Sequence, residues 1–323
     1  MEMPSSIQKH SDITSHNRTY RKTSDIGKTL KKDYQLYLLA LPAVIYYVIF
    51  HYVPMYGIQI AFKDFIEVKG IWGSPWVGLK HFRRFFSSFQ CGRLIKNTLG
   101  ISLYQLAIGF PLPIIMALLL NQTRNKVFKK TVQTVTYAPH FISVVVLAGM
   151  LYIFLSPRSG LINFIRIFFG KEPINFLAEP QWFKTIFVLS GVWQNTGWGT
   201  IIYLAALAGI NPELYEAAKV DGASKWGIIK NVELPGIMPT AIIMLIMRLG
   251  SIMDLGFQKA YLLQNPLNAE SSEIISTYVY KVGLIQSQYS YSAAIGLFNT
   301  VINIILLTLV NKLAREVSET SLW

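Results

Sequence analysis

The sequence predicts an all-α protein that crosses a lipid bilayer several times. Hydrophobic residues make up 52% of its 323 residues and charged residues only 15%, whereas soluble domains carry roughly 25% charged residues. A helix needs about 20 apolar residues to cross a bilayer. Six stretches meet this requirement, at 36–58, 97–120, 132–155, 183–209, 237–262 and 291–313. We therefore expect six transmembrane helices, with both termini on the same side.

The basic residues indicate which side faces the cytoplasm. The formal net charge is +13, and cytoplasmic loops of membrane proteins are enriched in Lys and Arg. Four basic residues at 124–130 and two after residue 311 place both termini in the cytoplasm. The first outer loop opposes this rule with GLKHFRRFF at 78–86, where we expect an interfacial helix on the outer membrane surface. Residues 1–33 are predicted to be a basic cytoplasmic tail, and residues 34–323 the membrane domain.

A polar insert at 210–236 separates the fourth and fifth apolar stretches. Asn211 is a favoured N-cap residue and is followed by a proline, which is favoured at the first helical position. Gly222 readily adopts the left-handed conformation that ends a helix. Ser224 is expected to cap a second short helix, which the Leu-Pro pair at 234–235 is expected to end. The insert is therefore predicted to be a helix-turn-helix.

Three interpretations of this insert remain open from the pattern alone. Two amphipathic helices could lie on the lipid surface, but that normally requires a polar face rich in Lys and Arg. Four acidic residues and three lysines are present instead. The insert could also be an ordinary structured loop, or it could dock on another protein through the face formed by Leu214, Ala217 and Ala218.

The spacing of residues within the insert resembles the EAA loop of the membrane subunits of bacterial ABC importers. The matching positions are Glu216, Ala217, Ala218, Asp221, Gly222, Ala223, Leu234 and Pro235. The resemblance implies that Glu216 approaches a separate ATPase, and that Gly222 lets two short helices sit in the ATPase cleft.

Other stretches resemble the sugar-type ABC permeases, in particular the subgroup for polysaccharide or acidic oligosaccharide uptake, of alginate or aldouronate type. They are LPA at 41–43, HYVPMYG at 51–57, AFKDF at 61–65, GIWGSPWVGL at 70–79 and the stretch 261–280. This resemblance implies a maltose-importer-like permease fold in the bacterial inner membrane. It also implies that the chain forms part of a translocation path for oligo- or polysaccharides, with acidic ones favoured.

The resemblance further implies an assembly. A second permease subunit, usually a different homologue, would pair with this chain. Two cytoplasmic ATPases and an extracytoplasmic sugar-binding protein would complete the importer. ATP and Mg would bind to the ATPases, and no cofactor is expected in this chain.

The fifth apolar stretch holds charges inside the predicted membrane. A charged side chain at the bilayer centre costs roughly 2.5 to 3.5 kcal/mol on insertion scales. With a helical rise of about 1.5 Å per residue, Arg248 lies about 17 Å and Asp254 about 26 Å from residue 237, and the two point about 120° apart. Arg248 either pairs with another helix or subunit, or makes the path favourable for an anionic solute. Asp254, with Gln258 one turn on, either lines the path or pairs structurally.

The fourth apolar stretch holds amides and indoles at mid-depth, in the run Trp193, Gln194, Asn195 and Trp198. Amide hydrogen bonds combined with flat aromatic faces suit a sugar, in keeping with binding sites that place a few polar groups in an apolar setting. The alternative is adhesion between helices through buried amides. Asn299 and Asn303 on the last stretch form another polar stripe, expected to be interhelical, and His140 is expected to be a packed histidine.

The sequence carries no pattern typical of an enzyme. A nucleotide-binding loop, a Ser/His/Asp order and a metal-binding HExxH are all missing from it, and a single cysteine, Cys91, excludes a disulfide within the chain. We therefore expect a transport subunit without catalytic or metal-ligating residues. The main alternative is an ion-coupled secondary carrier that works through Asp254 without an ATPase, and a membrane enzyme is a more distant one.

Overall fold

The computed structural model describes residues 32–318, and this part of the chain is built of helices, with no β-strand in it. Contacts divide the chain into two compact units, residues 1–57 and 58–323, which are described separately. The predicted tail at 1–33 lies outside the described residues, apart from its last two. In the first unit, α1 (Tyr34–Tyr47) continues through a π-helical turn at Val48–Tyr52.

The second unit contains the remaining helices. They are α2 (Lys80–Phe86), α3 (Phe89–Gly109), α4 (Pro111–Asn121), α5 (Lys126–Tyr137), α6 (Val144–Phe154), α7 (Leu161–Phe168), α8 (Pro180–Ala208), α9 (Pro212–Val220), α10 (Lys225–Ile228), α11 (Leu234–Gly250), α12 (Phe257–Leu263), α13 (Ile275–Tyr280) and α14 (Tyr289–Ser318). Shorter helical segments lie at Glu67–Lys69, Gly70–Gly73 and Ala269–Ser272.

Several of these helices are long and apolar enough to cross a membrane. Between residues 32 and 318 there are four such stretches, or five if one bent pair counts as a span. The four are Tyr34–Phe62, Phe89–Asn121, Lys225–Gly250 and Tyr289–Glu316. Helix α8 has 29 residues, which is long enough, but the polar run around Gln194 lowers its hydropathy. The total of six spans therefore stays a prediction.

The predicted third span is broken, and the bent pair is α5 with α6. Their axes differ by 100°, and a 3-10 turn at Ala138–Phe141 lies between them. Pro139 in this turn lacks the N–H that a continuing α-helix needs. Ser143 is the N-cap of α6, because its side-chain oxygen accepts the Val146 N–H at 3.3 Å. The stretch 132–155, expected as one transmembrane span, is therefore divided into two helices at Pro139.

The predicted fifth span, 237–262, also ends early. Helix α11 stops at Gly250, and the chain is non-helical until α12 begins at Phe257. Gly256, just before α12, has a φ of +85°, a left-handed conformation that an α-helix cannot contain. Asp254 therefore lies in an irregular segment rather than on a helix.

The second unit has three apolar clusters, one of which supports the polar insert. That cluster joins α4, α8 and α11 through Ala117, Tyr203, Leu207 and Ile237, all of which are buried. Another lies between α3, α8 and α12, and the third between α2, α3, α13 and α14. Since α8 and α11 flank the insert, their shared packing with α4 fixes the base from which it projects.

Helix α2 contains most of the basic, aromatic stretch 78–86 and packs on protein. Phe85 is only 1% exposed and contacts the Phe298 ring of α14, with ring centroids 5.6 Å apart. The Arg84 guanidinium lies 4.2 Å from the centroid of the Tyr291 ring. The predicted helix is present, and α14 covers Phe85, whereas Phe86 stays 55% exposed, so an interfacial position stays a prediction.

Candidate coupling hairpin and solute path

The polar insert begins with a capped helix, α9. The Asn211 side-chain oxygen accepts the Glu213 N–H at 3.0 Å, and Pro212 occupies the first turn. Glu213 places a negative charge where the helix dipole favours one. The predicted first helix and its cap are therefore both present.

The turn after α9 is a Schellman motif around Gly222. Its φ is +72°. The Ala223 N–H donates to the Ala218 carbonyl at 2.9 Å, and the Gly222 N–H donates to the Lys219 carbonyl at 3.1 Å. These two bonds satisfy carbonyl groups that the helix end would otherwise leave free. The glycine turn expected from the sequence is therefore confirmed, and we call residues 211–233 the hairpin.

The second arm of the hairpin runs directly into the next long helix. The Ser224 hydroxyl accepts the Gly227 N–H at 3.2 Å, which caps α10 as expected. A π-helical segment at Ile229–Glu233 then connects α10 to α11, so Lys225–Gly250 forms one helical stretch. Leu234 and Pro235 do not end a helix, contrary to the sequence prediction. The π-helical segment ends two residues before Pro235, in the turn where a regular α-helix would lose a hydrogen bond and meet the proline ring.

The outer face of the hairpin is exposed. Glu216, Ala217, Asp221 and Gly222 are all exposed, while Ala218 and Ala223 are half-buried. Large apolar side chains are exposed beside them, with Val220 88% exposed and Trp226 71% exposed. An exposed surface that mixes apolar and charged side chains is typical of a protein-binding site.

Arg248 and Asp254 border one small polar cavity. The cavity has a volume of about 80 Å³ and is also lined by Ser102, Gln105 and Ser251. Arg248 is exposed, and no ion pair to it occurs among residues 32–318. The two side chains thus share a cavity without forming an ion pair, and the angle predicted between them does not apply because Asp254 lies beyond the end of α11.

The carboxylate of Asp254 is held by the last helix. Its two oxygens accept hydrogen bonds from the side-chain amides of Asn299, at 3.2 Å, and Asn303, at 3.1 Å. The asparagine stripe therefore joins α14 to the irregular segment between α11 and α12, whereas contact with another helix was expected. Gln258, expected one helical turn beyond Asp254, instead lies on the separate helix α12, where it is exposed.

The four residues predicted on α8 do not form one site. Gln194 is buried and donates to the Ile142 carbonyl at 2.7 Å, so it stabilises the break between α5 and α6. Trp193 borders an apolar cavity of about 430 Å³. Asn195 and Trp198 both contact His140, through a 3.1 Å hydrogen bond and through rings stacked 4.5 Å apart. His140 is therefore a packed histidine, as expected, but its partners lie 55 and 58 residues away and leave no local signal in the sequence.

Two further residues were missed from the sequence. The sequence indicates Glu233 only as one of the acidic residues of the insert, and it gives no signal for Tyr215. The structure buries Glu233 completely and places Tyr215 near it, at the base of the hairpin. No spacing rule indicates this contact, because part of it comes from α4, more than 110 residues earlier.

The chain is similar to a family of known transport proteins. Residues 109–319 match the family described as the binding-protein-dependent transport system inner membrane component. The chain belongs to this family of membrane proteins. The match covers the hairpin and most of the membrane helices.

The chain is also similar to individual transport proteins of known type. The chain is 46% identical over 296 residues to the polygalacturonan/rhamnogalacturonan transport system permease protein YteP of Bacillus subtilis, covering 92% of each chain. It is 42% identical over 294 residues to Protein LplB of the same organism, covering 91% of this chain and 92% of LplB. A chain in the crystal structure of a bacterial alginate ABC transporter, complexed with an alginate-bound periplasmic protein, matches with a TM-score of 0.86 and 41% identity. That match covers 92% of this chain and all of the other.

The family and these relatives establish the class of protein. The chain is the permease subunit of a sugar ABC importer, with the helical permease fold, and it is not an enzyme. ATP hydrolysis belongs to a separate ATPase, and transport depends on a binding protein. This class excludes the alternative of an ion-coupled carrier that works without an ATPase.

Proposed function

We propose that the chain forms part of the path for acidic oligo- or polysaccharides and is driven through the hairpin at 211–233. The observation that carries the substrate class is Arg248, a charged and exposed side chain on a membrane helix with no ion pair in the described part. A charge at that depth is costly unless water, a partner or a solute contacts it. The relatives support an anionic solute, because one transports polygalacturonan/rhamnogalacturonan and another belongs to an importer of the acidic polysaccharide alginate.

The helical stretch Lys225–Gly250 supports a mechanical connection between the hairpin and the path. It is continuous from the second arm of the hairpin to Arg248. At about 1.5 Å per residue, Lys225 and Arg248 lie about 35 Å apart along this stretch. When the ATPases close, they displace the hairpin, and this stretch carries the displacement to the polar cavity as a rigid body.

The rest of the assembly follows from this proposal. A second permease subunit, a different homologue, pairs with the chain, and two ATPases bind on the cytoplasmic side. ATP and Mg bind in the ATPases, and a sugar-binding protein delivers solute from outside. The chain spans the inner membrane six times, with both termini and the hairpin in the cytoplasm.

The coupling site is tested in the reconstituted importer. Cysteines introduced by Ala217→Cys and Asp221→Cys are expected to cross-link to the ATPase and to be labelled only from the cytoplasmic side. Glu216→Lys and Gly222→Pro are expected to abolish uptake and saccharide-stimulated ATP hydrolysis without preventing insertion. Labelling from outside, or wild-type uptake by either variant, would overturn the assignment of the hairpin.

The substrate class needs a separate measurement. Stimulation of ATP hydrolysis is compared for neutral and uronic oligosaccharides of equal length, each presented by the binding protein. We expect stimulation by the uronic series and little by the neutral one. Equal stimulation by both would reject the acidic specificity while leaving the coupling site intact.

A further inference from the structure

Glu233 is a completely buried acid at the base of the hairpin. Its exposed fraction is 0%, and it ends the π-helical segment that connects the second arm to α11. No lysine or arginine forms an ion pair with it among residues 32–318. Burying a carboxylate costs free energy unless hydrogen bonds replace its water. The side chains that donate hydrogen bonds to Glu233 therefore determine whether the acid is stable at this position.

The partners of Glu233 come from the end of α4. Its Oε1 atom accepts hydrogen bonds from the side-chain amides of Asn121, at 2.6 Å, and Gln122, at 2.8 Å. The Asn121 amide also lies 3.5 Å from the Tyr215 hydroxyl, on the first arm of the hairpin. The carboxylate thus joins both arms of the hairpin to α4.

Tyr215 supports this arrangement electrostatically. Burial, followed by the neighbouring Glu233 carboxylate, raises the pKa of the Tyr215 hydroxyl above its ordinary value. The hydroxyl therefore keeps its proton at physiological pH and remains a potential donor beside the acid. Both amides donate to Oε1, whereas Oε2 is buried and accepts no hydrogen bond from residues 32–318.

This contact connects the hairpin to a second membrane helix. The first connection is the helical stretch Lys225–Gly250, which includes α11. The second, through Asn121, reaches α4, which is one continuous apolar stretch with α3 over Phe89–Asn121. A displacement of the hairpin must therefore either carry α4 with it or break both hydrogen bonds of Glu233.

We propose that Glu233 is a positioning residue for energy coupling, which ties the hairpin to α4 so that ATP-driven displacement moves the second and fifth membrane stretches together. The proposal rests on the proposed function, because it assumes that the ATPase displaces the hairpin. A purely structural acid would set only the amount of folded subunit. A coupling residue sets how much solute moves for each ATP hydrolysed.

The test uses the complete reconstituted importer and measures uptake per ATP hydrolysed, with ATPase co-purification as the measure of assembly. Glu233→Leu removes the acceptor, and Asn121→Leu removes one of its two donors while the Gln122 amide remains. Glu233→Leu is expected to lower uptake per ATP about tenfold, within the range of typical coupling free energies, and Asn121→Leu to lower it less. The double variant is expected to lose no more than Glu233→Leu alone, because without the acid the Asn121 donor has nothing to tie to α11.

Two milder variants keep the test decisive if a leucine variant does not assemble. Glu233→Gln retains an oxygen that can accept both amides, so uptake per ATP is expected to recover to within about twofold of wild type, the remaining loss reflecting weaker neutral hydrogen bonds. Asn121→Ser removes one donor without altering the acid, and is expected to give an intermediate loss. Thr131→Ala, an exposed position on α5 outside the hairpin, is the control and should leave the ratio unchanged.

The outcomes separate this proposal from the proposed function. Normal uptake per ATP in Glu233→Leu or Asn121→Ser, or additive losses in the double variant, would overturn the role of Glu233. A wild-type chain that neither binds the ATPase nor supports saccharide-stimulated hydrolysis would instead reject the proposed function itself.

Discussion

The side-chain amide of Asn303 binds the segment that contains Asp254, through its nitrogen and through its oxygen. Its nitrogen donates to the Asp254 carboxylate at 3.1 Å, and its oxygen accepts the Met253 N–H at 3.2 Å. The segment is irregular, so its backbone groups lack the partners that a helix would supply. Asn303 replaces one of those partners, and it thereby fixes the acid beside the cavity that Arg248 also borders.

We predict that Asn303→Leu loosens this segment. Asn303 is only 9% exposed, and removal of its amide leaves the buried Met253 N–H without a partner, which costs about 1 to 3 kcal/mol. The purified subunit should melt at a lower temperature, and the assembled importer should take up less saccharide. Thr308→Val is the control, because the Thr308 hydroxyl bonds only within its own helix. Equal melting temperatures for the two variants would contradict the role of Asn303.

The hairpin shows which features local rules can predict. The caps at Asn211 and Ser224 and the turn at Gly222 depend on residues within a few positions of each other, and all three are present. The effect of Pro235 was predicted wrongly because a π-helical segment replaces the expected helix end. Such a change in hydrogen-bond register leaves no signature in the type or spacing of residues.

The membrane part shows where local rules fail. The stripe expected from Asp254 to Gln258 required a continuous helix, whereas the chain leaves the helical conformation before Gly256. On α8, Gln194 binds Ile142 and Asn195 binds His140, so these residues do not form one site. Their partners come from a different part of the chain. Composition predicts that a stretch lies in the membrane, but the side chain that each polar residue contacts depends on how the helices pack.

Arg248→Ala should change which saccharides the importer accepts. A hydrogen bond to a charged group contributes roughly 1.5 to 3 kcal/mol, so loss of the guanidinium should weaken uptake of uronic saccharides about tenfold or more. Uptake of neutral saccharides of the same length should change little. The measurement is competition between the two series in the reconstituted importer.

The control for this prediction is Arg124→Ala, an exposed arginine in the predicted cytoplasmic loop. It should leave the preference between charged and neutral saccharides unchanged. An equal loss of both series in Arg248→Ala would indicate that Arg248 is structural and pairs with a second subunit.

Gly197 is expected to be indispensable for the packing of α5 on α8. A Cβ atom there would collide with the Thr136 carbonyl oxygen, which is backbone and cannot turn away. Gly197→Ala should therefore lower the free energy of unfolding by about 1 to 3 kcal/mol, as overpacking usually does. Thermal unfolding of the purified subunit measures this change.

Gly149→Ala is the matched control, since a Cβ at Gly149 has no neighbour within 4 Å. Alanine is favoured over glycine inside a helix by about 1 kcal/mol, so this variant should be as stable as wild type or more so. A destabilisation of the same size at both positions would show that the close approach at Thr136 does not limit residue 197.

Gly222 should tolerate substitutions in an order set by the backbone of the turn. A Cβ there has no neighbour within 4 Å, so any loss arises from the φ of +72°. An alanine in the left-handed region costs about 1 to 2 kcal/mol, whereas asparagine enters it more readily. Saccharide-stimulated ATP hydrolysis should therefore fall from wild type through Gly222→Asn and Gly222→Ala to Gly222→Pro.

The control is Gly227→Ala, at a glycine without positive φ, which should retain wild-type hydrolysis. If Gly222→Asn were as damaging as Gly222→Pro, the loss would reflect contact with the ATPase rather than the conformation of the turn.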